Sequence, residues 1–315
     1  MTKYTFLLPA YKAAFFKEAL QSIKGQTYTD FKVLVSDDCS PEPLKPVFDE
    51  VCGSDPRFTY RRNETNMGSK SLVSHWNLLV DMCDTDFLVM ASDDDVYHPR
   101  FLEEIDRLQC KYPKVDLLRA RVKAVDENGE MIDKDAIYEE YVDNLDFFRQ
   151  KHFNNSLRCI ANYVFRTSVL KAKGGFVDFP LAIYSDDATV LIMAENGAVN
   201  TKNMAFNFRL SNSSVSGREL TPSDCFQKAL ATLLYDKWFY AYLRKRKHIW
   251  GASVYVGKSC ALIEREHKQY RDDLFISVAL GCRFLDYIKL LSYVKLTKKR
   301  IKLMYAYLYH VLFQR

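Results

Sequence analysis

Over its first hundred residues the chain alternates short strand-like runs with amphipathic stretches, and three of the four runs are followed by a polar cluster. "YTFLLPAY" (4–11) precedes "FFKEALQSIKG" (15–25), where Ala19, Leu20 and Ile23 share one face of a helix. "FKVLVSDD" (31–38) leads to a helix near 41–52, "RFTYRRNE" (57–64) to a helix over 69–82, and "DFLVMAS" (86–92) is the fourth run. Strands and helices alternating at this spacing predict βαβ units and a parallel sheet. Such sheets bind ligands outside the carboxyl ends of their strands. Asp37 and Asp38 close the second run, "ETNMGS" (64–69) follows the third and Asp93, Asp94 and Asp95 close the fourth, so three polar clusters are expected on one edge.

Further on, "VDLLRARVKAVDENGEMI" (115–132) alternates and carries "ENG", a hairpin turn. A strand and a short helix ending at Gly174 and Gly175 are expected in 157–176. "YSDDATVLIMAENG" (184–197) has a capping serine, two acids in its first turn, helical apolar spacing and a terminal glycine. The strand-like "VNTKNMAFNFRLS" (199–211) follows, then "SNSSVSGRELTP" (211–222), a loop composition. Beyond it the pattern is helical to the end. We place a boundary there, between a domain of residues 1–217 and a helical region of 218–315.

A 315-residue chain that is 48% hydrophobic and 14% aromatic buries a substantial core and is not disordered. Its net charge of +5 is concentrated late, in "LRKRKH" (243–248) and "KLTKKRIK" (295–302). With no nucleic-acid-binding motif, the composition excludes nucleic acid as the expected partner. Eight cysteines without CxxC spacing, several inside apolar segments, read as reduced thiols in a reducing compartment. No signal peptide or membrane-spanning run is found, so a cytoplasmic protein is expected, soluble or on the inner membrane surface.

Three adjacent carboxylates repel unless something holds them. Hard divalent cations take oxygen ligands from one or two carboxylates, with phosphates completing the shell. The alternative is that Asp93, Asp94 and Asp95 serve the positive end of the helix beginning near Pro99. The same choice applies to Asp186 and Asp187, which are either helix-capping acids or functional ones.

The ordered set "LLPAY" (7–11), "SIKGQTY" (22–28), "VSDDCS" (35–40), "NETNMGSKS" (63–71) with Asn77, and "SDDDVYHP" (92–99) resembles the family 2 glycosyltransferases, over roughly residues 3–215. The resemblance implies the GT-A fold, a mixed, mainly parallel sheet flanked by helices that binds a nucleotide sugar, here with a helical C-terminal extension. It implies that Pro9 and Tyr11 line the base pocket, that Asp37 and Asp38 contact base and ribose, and that Asn66, Gly68, Asp93 and Arg209 belong to the donor site. The acidic triplet takes the place of the family's Asp-x-Asp motif. Counted back from Pro99, the two key acids fall at Ser92 and Asp94, so a serine replaces one, and Asp94 and Asp95 become the expected ligands of Mn²⁺ or Mg²⁺. In "YSDDAT" the resemblance implies a general base, Asp187 or its neighbour Asp186, that takes the proton from an acceptor hydroxyl while one displacement inverts the anomeric carbon. Arg209 matches a frequent arginine, but Ser211 stands where members often have histidine. The segment 208–217 suits a mobile lid.

The expected activity is transfer from a nucleotide-sugar donor, a UDP-sugar first, to a hydroxyl of a glycan or lipid-linked acceptor in bacterial surface polysaccharide synthesis. A nucleotidyltransferase would carry a Gly-rich basic loop after the first strand, which "PAYKAAFFKEA" lacks. A non-catalytic sugar-nucleotide or glycan-binding module has no need of acids at both clusters. His75 and Trp76 read as packing or surface groups and His98 as a loop residue. "FLDYIKLLSYVKLTKKRIKLMYAYLYHVLFQR" (284–315) mixes basic residues with aromatics and leucines, and fits either an anionic membrane surface or packing on the domain or a second subunit in a homodimer.

Overall fold

A computed structural model describes residues 2–153, 157, 159–211, 220–251 and 253–293. The chain divides into two compact units, Met1–Asp178 with Thr189–Arg218, and Phe179–Ala188 with Glu219–Arg315. The first unit opens with β1 (Tyr4–Ala10), α1 (Phe16–Lys24), β2 (Phe31–Asp37), α2 (Lys45–Cys52), β3 (Phe58–Arg62), α3 (Gly68–Met82) and β4 (Phe87–Met90). Next come β5 (Val96–Tyr97), α4 (Phe101–Lys111), β6 (Leu117–Val125), β7 (Met131–Lys134), β8 (Tyr141–Val142), α5 (Asn144–Phe153), β9 (Tyr163–Arg166) and α6 (Thr167–Ala172). Helix α7 (Ser185–Met193) and strand β10 (Ala198–Arg209) precede α8 (Pro222–Trp250), α9 (Val254–Ala279) and α10 (Phe284–Tyr293).

The strands form one sheet in the order β3-β2-β1-β4-β9-β6-β10-β5, with β7 on β6 and β8 on β10. The four N-terminal strands are mutually parallel, as is the β6/β10 pair, whereas β4/β9 and β6/β9 are antiparallel. The sheet is thus mixed, as expected for a GT-A fold. Its order explains where a ligand can enter. The chain runs outward from β1 through β2 to β3, then returns to lay β4 on the other side of β1. Helical connections therefore diverge between the carboxyl ends of β1 and β4, which leaves a crevice at that switch point.

Apolar alternation builds the layers. α1 buries Phe16, Ala19, Leu20 and Ile23, spaced for one helical face, and leaves Glu18 and Lys24 at its two ends, where they suit the helix dipole. Phe6 on β1 meets Tyr97 at 5.1 Å and Phe31 at 5.7 Å between ring centroids, both edge-on, in the main core. The helix expected over 69–82 is broken at Ser71 (φ −157°, ψ 112°), whose hydroxyl accepts from Ser74 N at 3.0 Å and caps the longer part. After α6, Gly175 (φ +84°) passes so close to α3 that a Cβ would lie 2.4 Å from Asn77 Oδ1. The Asn77 side chain there binds the backbone N–H and C=O of Phe176 at 2.7 and 3.0 Å.

In the second unit α8 begins with a Thr221–Asp224 capping box, and Cys225, Ala229, Phe275, Val278, Ala279, Cys282, Tyr287 and Leu290 pack together. No described helix is long and apolar enough to cross a membrane. All eight cysteines are free thiols, six of them buried. The segment 212–219 that contains most of the expected lid, and the basic stretch 294–315, lie outside the described residues.

Candidate active site

The expected clusters meet at the carboxyl edge of β1, β2, β3 and β4. Asp38 N donates to Ala10 O, Asn63 N to Asp37 O and Ala91 N to Leu7 O, each at 2.8 Å. Across the switch point, one oxygen of Asp93 accepts the backbone N–H groups of both Tyr11 and Lys12 at 2.7 Å. Pro9 sits one position before the end of β1, and Tyr11 beyond it leaves 42% of its surface exposed.

Asp37 and Asp38 face different partners. Asp37 is fully buried, accepts from Tyr60 Oη at 2.5 Å and Ser40 N at 2.8 Å, and pairs with Arg62. Burial alone would raise its carboxyl, but these donors outweigh burial and hold it below the usual carboxylate range. Asp38 accepts from Asn63 Nδ2 at 2.8 Å, Met67 N at 2.9 Å and Gly68 N at 2.7 Å, so it fastens the 63–68 loop to the end of β2. A Cβ at Gly68 would stand 3.0 Å from Asp38 Oδ2, so the loop closes here on glycine. Asn66 Oδ1 accepts from Ser69 N at 2.7 Å and starts α3.

Behind Asp38 lies His75, fully buried, its Nε2 3.0 Å from Ser36 Oγ and 3.3 Å from Asn63 Nδ2. With the Asn63 amide donating to Nε2, the ring proton falls on Nδ1, 3.7 Å from the Asp38 carboxylate. Burial holds this histidine's pKa below its ordinary value, so it stays neutral. Trp76 packs edge-on against Phe176, as a packing reading expects. His75 does more, because it backs a predicted donor ligand.

The three acids of the triplet part company. Asp93 is committed to the backbone just after β1, and burial pushes its carboxyl above the usual range against the pull of Lys12. Asp95 accepts from Arg209 N at 2.9 Å and from the Ser92 hydroxyl, with Cys159 Sγ at 3.7 Å. Burial, then the neighbouring Asp94 charge, pushes Asp95 up to about 7. Ser92, standing where the resemblance puts an acid, therefore braces Asp95. Asp94 pairs with the Lys12 ammonium, and no backbone group binds its carboxylate in the contacts described.

Arg209 is 2% exposed and fastens the site from below. Its Nε donates to Asp94 O at 3.0 Å, Nη1 to Asp126 O and Glu127 O at 3.3 and 3.1 Å, and Nη2 to Glu18 at 2.6 Å, with the guanidinium 4.3 Å from the Phe15 ring. These donors meet protein acceptors and hold the triplet loop against β10 and α1.

Among the described residues no three His, Cys, Asp or Glu side chains are grouped to hold a metal alone. Of the expected ligands Asp94 and Asp95, the second has its two oxygens on Arg209 N and the Ser92 hydroxyl, so the oxygens with capacity left are those of Asp94 and the second oxygen of Asp93, which is the share a protein supplies to Mg²⁺ or Mn²⁺ when phosphates fill the shell. The residues fit such an ion.

Asp186 and Asp187 open α7, with Asp187 buried and its N–H on Asp186 Oδ1 at 2.8 Å. They belong to the second unit, within Phe179–Ala188. Just before them Leu181, Ala182 and Tyr184 hold φ of 56°, 57° and 68°. Each such left-handed non-glycine residue costs about 1–3 kcal/mol and persists only where its surroundings enforce it. At Tyr184 packing on α8 supplies that support. Tyr184 stacks on Tyr235 at 4.5 Å and 7°, Tyr235 on Trp238 at 5.7 Å, and Phe179 meets both rings edge-on. Sequence reading missed this stack, along with Lys12 and His75. The only signal was three aromatics of α8, Tyr235, Trp238 and Tyr242, at helical spacing.

The family model described as "Glycosyl transferase family 2" matches residues 5–173. An uncharacterized glycosyltransferase of Methanocaldococcus jannaschii is 27% identical over 119 residues, 38% of this chain, and the match spans only 40% of that relative. Among solved structures, S. aureus TarS 1–349 in complex with UDP-GlcNAc aligns over 96% of this chain and 87% of its own, with a TM-score of 0.66 and 18% identity. A mannosyltransferase from Pyrobaculum calidifontis in complex with GDP-Man and Mn²⁺ aligns over 99% and 88%, with a TM-score of 0.54 and 15% identity. At these identities the two structures speak for the fold.

Proposed function

The chain belongs to glycosyl transferase family 2, and on that premise we propose that it catalyses an inverting, metal-assisted transfer of a sugar from a nucleotide donor to an acceptor hydroxyl. The observation that supports this reading is that Tyr11, Asp37 and Asp38, the loop to Gly68, and the triplet follow the carboxyl ends of β1, β2, β3 and β4, neighbours in one parallel edge, with Asp93 joined to the Tyr11 and Lys12 backbone across the switch point. Tyr11, beside Pro9, stacks on the base; Asp37 and Asp38 face base and ribose; Asn66 and Gly68 shape the adjoining loop; Asp93 and Arg209 hold the triplet in place. Asp94 and Asp93, with Asp95 behind them, would hold Mn²⁺ or Mg²⁺, which stabilises the charge on the departing nucleoside diphosphate when bound.

Asp187 takes the proton from the acceptor oxygen as that oxygen attacks the anomeric carbon, with Asp186 as the alternative base. A UDP-sugar is the first donor to test and a GDP-sugar the second, because the two structural neighbours are bound to one of each. The proposed acceptor is a hydroxyl of a glycan or lipid-linked saccharide in bacterial surface polysaccharide synthesis, reached from the cytoplasmic side. The basic helical region of 218–315 would then serve membrane-surface contact or a homodimer.

A panel of UDP- and GDP-sugars, screened by thermal shift with and without Mn²⁺, identifies the donor, because a ligand of the native state raises Tm. Asp94→Ala is then expected to abolish metal-dependent transfer with the fold intact. Undiminished turnover in that variant would sink the metal assignment.

A further inference from the structure

We infer that Lys12 is a cation built into the acidic triplet that changes partners when the donor arrives: its ammonium neutralises Asp94 and Asp93 in the free chain, and turns to the donor's diphosphate once a divalent ion takes those carboxylates. The inference rests on the donor reading above and goes beyond it, since that reading gives Lys12 no role.

Lys12 Nζ contacts the Asp94 carboxylate and lies 3.3 Å from Asp93 Oδ1. These are the same two carboxylates that have capacity left for a metal, so ammonium and metal compete for one place. A monovalent ammonium beside a divalent ion at that distance is repelled, and both cannot keep the same oxygens. The lysine need not travel far when displaced. Its backbone N–H is held by Asp93 Oδ2 at 2.7 Å, which fixes the root of the side chain at the switch-point crevice, while the four-carbon stem keeps 29% of its surface exposed and swings from that root. Of the two described cations that touch the triplet, Arg209 cannot do this, because it is 2% exposed and its guanidinium is fixed on Asp94 O, Asp126 O, Glu127 O and Glu18. Ser92 sharpens the point. Where the resemblance puts an acid this chain has a hydroxyl, so the oxygen set open to a metal is reduced to Asp94 and Asp93, the pair that Lys12 holds.

Two consequences are measurable on the full chain by titration calorimetry, with Mn²⁺ alone, UDP, GDP and the matching monophosphates as probes. Removing the internal competitor in Lys12→Met is expected to tighten the binding of Mn²⁺ alone by about tenfold. With Mn²⁺ saturating the carboxylates, where the ammonium is released to phosphate, wild type is expected to prefer the diphosphate over the monophosphate, and Lys12→Met to lose about tenfold in diphosphate affinity alone; in EDTA, where the ammonium stays on Asp94 and Asp93, that loss is expected to shrink. Lys12→Arg keeps the charge and is expected to stay near wild type in both. Equal Mn²⁺ and diphosphate affinities in wild type and Lys12→Met overturn the inference, and so does a wild type whose preference for the diphosphate is no greater with Mn²⁺ than in EDTA, a result that needs no variant to fold. A wild type that binds neither UDP nor GDP even with Mn²⁺ overturns the donor reading itself, which is a different outcome from normal nucleotide binding that ignores Lys12.

Discussion

Replacing Asp38 by Asn changes one atom in a buried carboxylate and tests how the donor edge is held together. Oδ1 accepts from Asn63 Nδ2 and Met67 N, and Oδ2 accepts from Gly68 N with the His75 ring 3.7 Å away. An amide can keep its oxygen toward Asn63 and Met67, but its NH₂ then points at the N–H of Gly68. The bond to Gly68 is lost and two donors face each other in a buried place, which costs about 1–3 kcal/mol. The two surviving bonds fall from charge-assisted to neutral strength, roughly 1 kcal/mol more in total. The sum, about 2–4 kcal/mol, corresponds to a fall in Tm of about 5–15 °C for a domain of this size. Thermal unfolding gives the first number, and a nucleotide titration gives the second, an affinity loss as the 63–68 loop comes loose. A Tm within about 2 °C of wild type together with unchanged nucleotide affinity would refute the view that this carboxylate fastens the loop.

Asp187→Asn should lower turnover by about 10²–10⁴, the usual worth of a general base, while donor affinity measured by titration stays within about twofold. Because burial depresses the His75 pKa, the stability it contributes is full above its unfolded value of about 6.5 and is lost as pH falls below that. Asp93 and Asp95, raised above the usual carboxylate range, contribute in the opposite sense over the same pH range, so the difference is what reads His75: the Tm advantage of wild type over His75→Gln should shrink as pH falls below about 6.5. Tyr235→Ala removes the ring that holds Tyr184 in its left-handed conformation, so kcat should fall with donor affinity unchanged, and Tyr235→Phe, which keeps the ring, should restore it. Equal kcat in Tyr235→Ala would show that the strained segment needs no such support.

Much of the donor edge was legible in one dimension. The runs ending at Asp37 and Met90 are short and apolar, and the acids that follow them do not continue a strand core, so those strand ends were visible as abrupt changes of polarity. The break in α3 was not legible, because "GSKSLVSH" reads as helix by spacing and only the geometry shows the Ser71 hydroxyl capping Ser74. Nor was the fate of Arg209, which motif position assigns to the donor and whose guanidinium meets acceptors from residues 18, 94, 126 and 127.

By itself, then, the sequence determined the period of the elements, their order and the edge at which the acids gather, since polarity alternation and chain direction are local properties. Tertiary structure alone decided how three adjacent carboxylates differ. Asp93 is bound to a backbone 81 and 82 residues earlier, Asp95 to one 114 residues later, and Asp94 is left to a lysine just beyond the end of β1. Adjacent residues share a position in the chain but point to different neighbours. A carboxylate's charge, partners and chemistry are set by the neighbours it meets, which only the folded chain supplies.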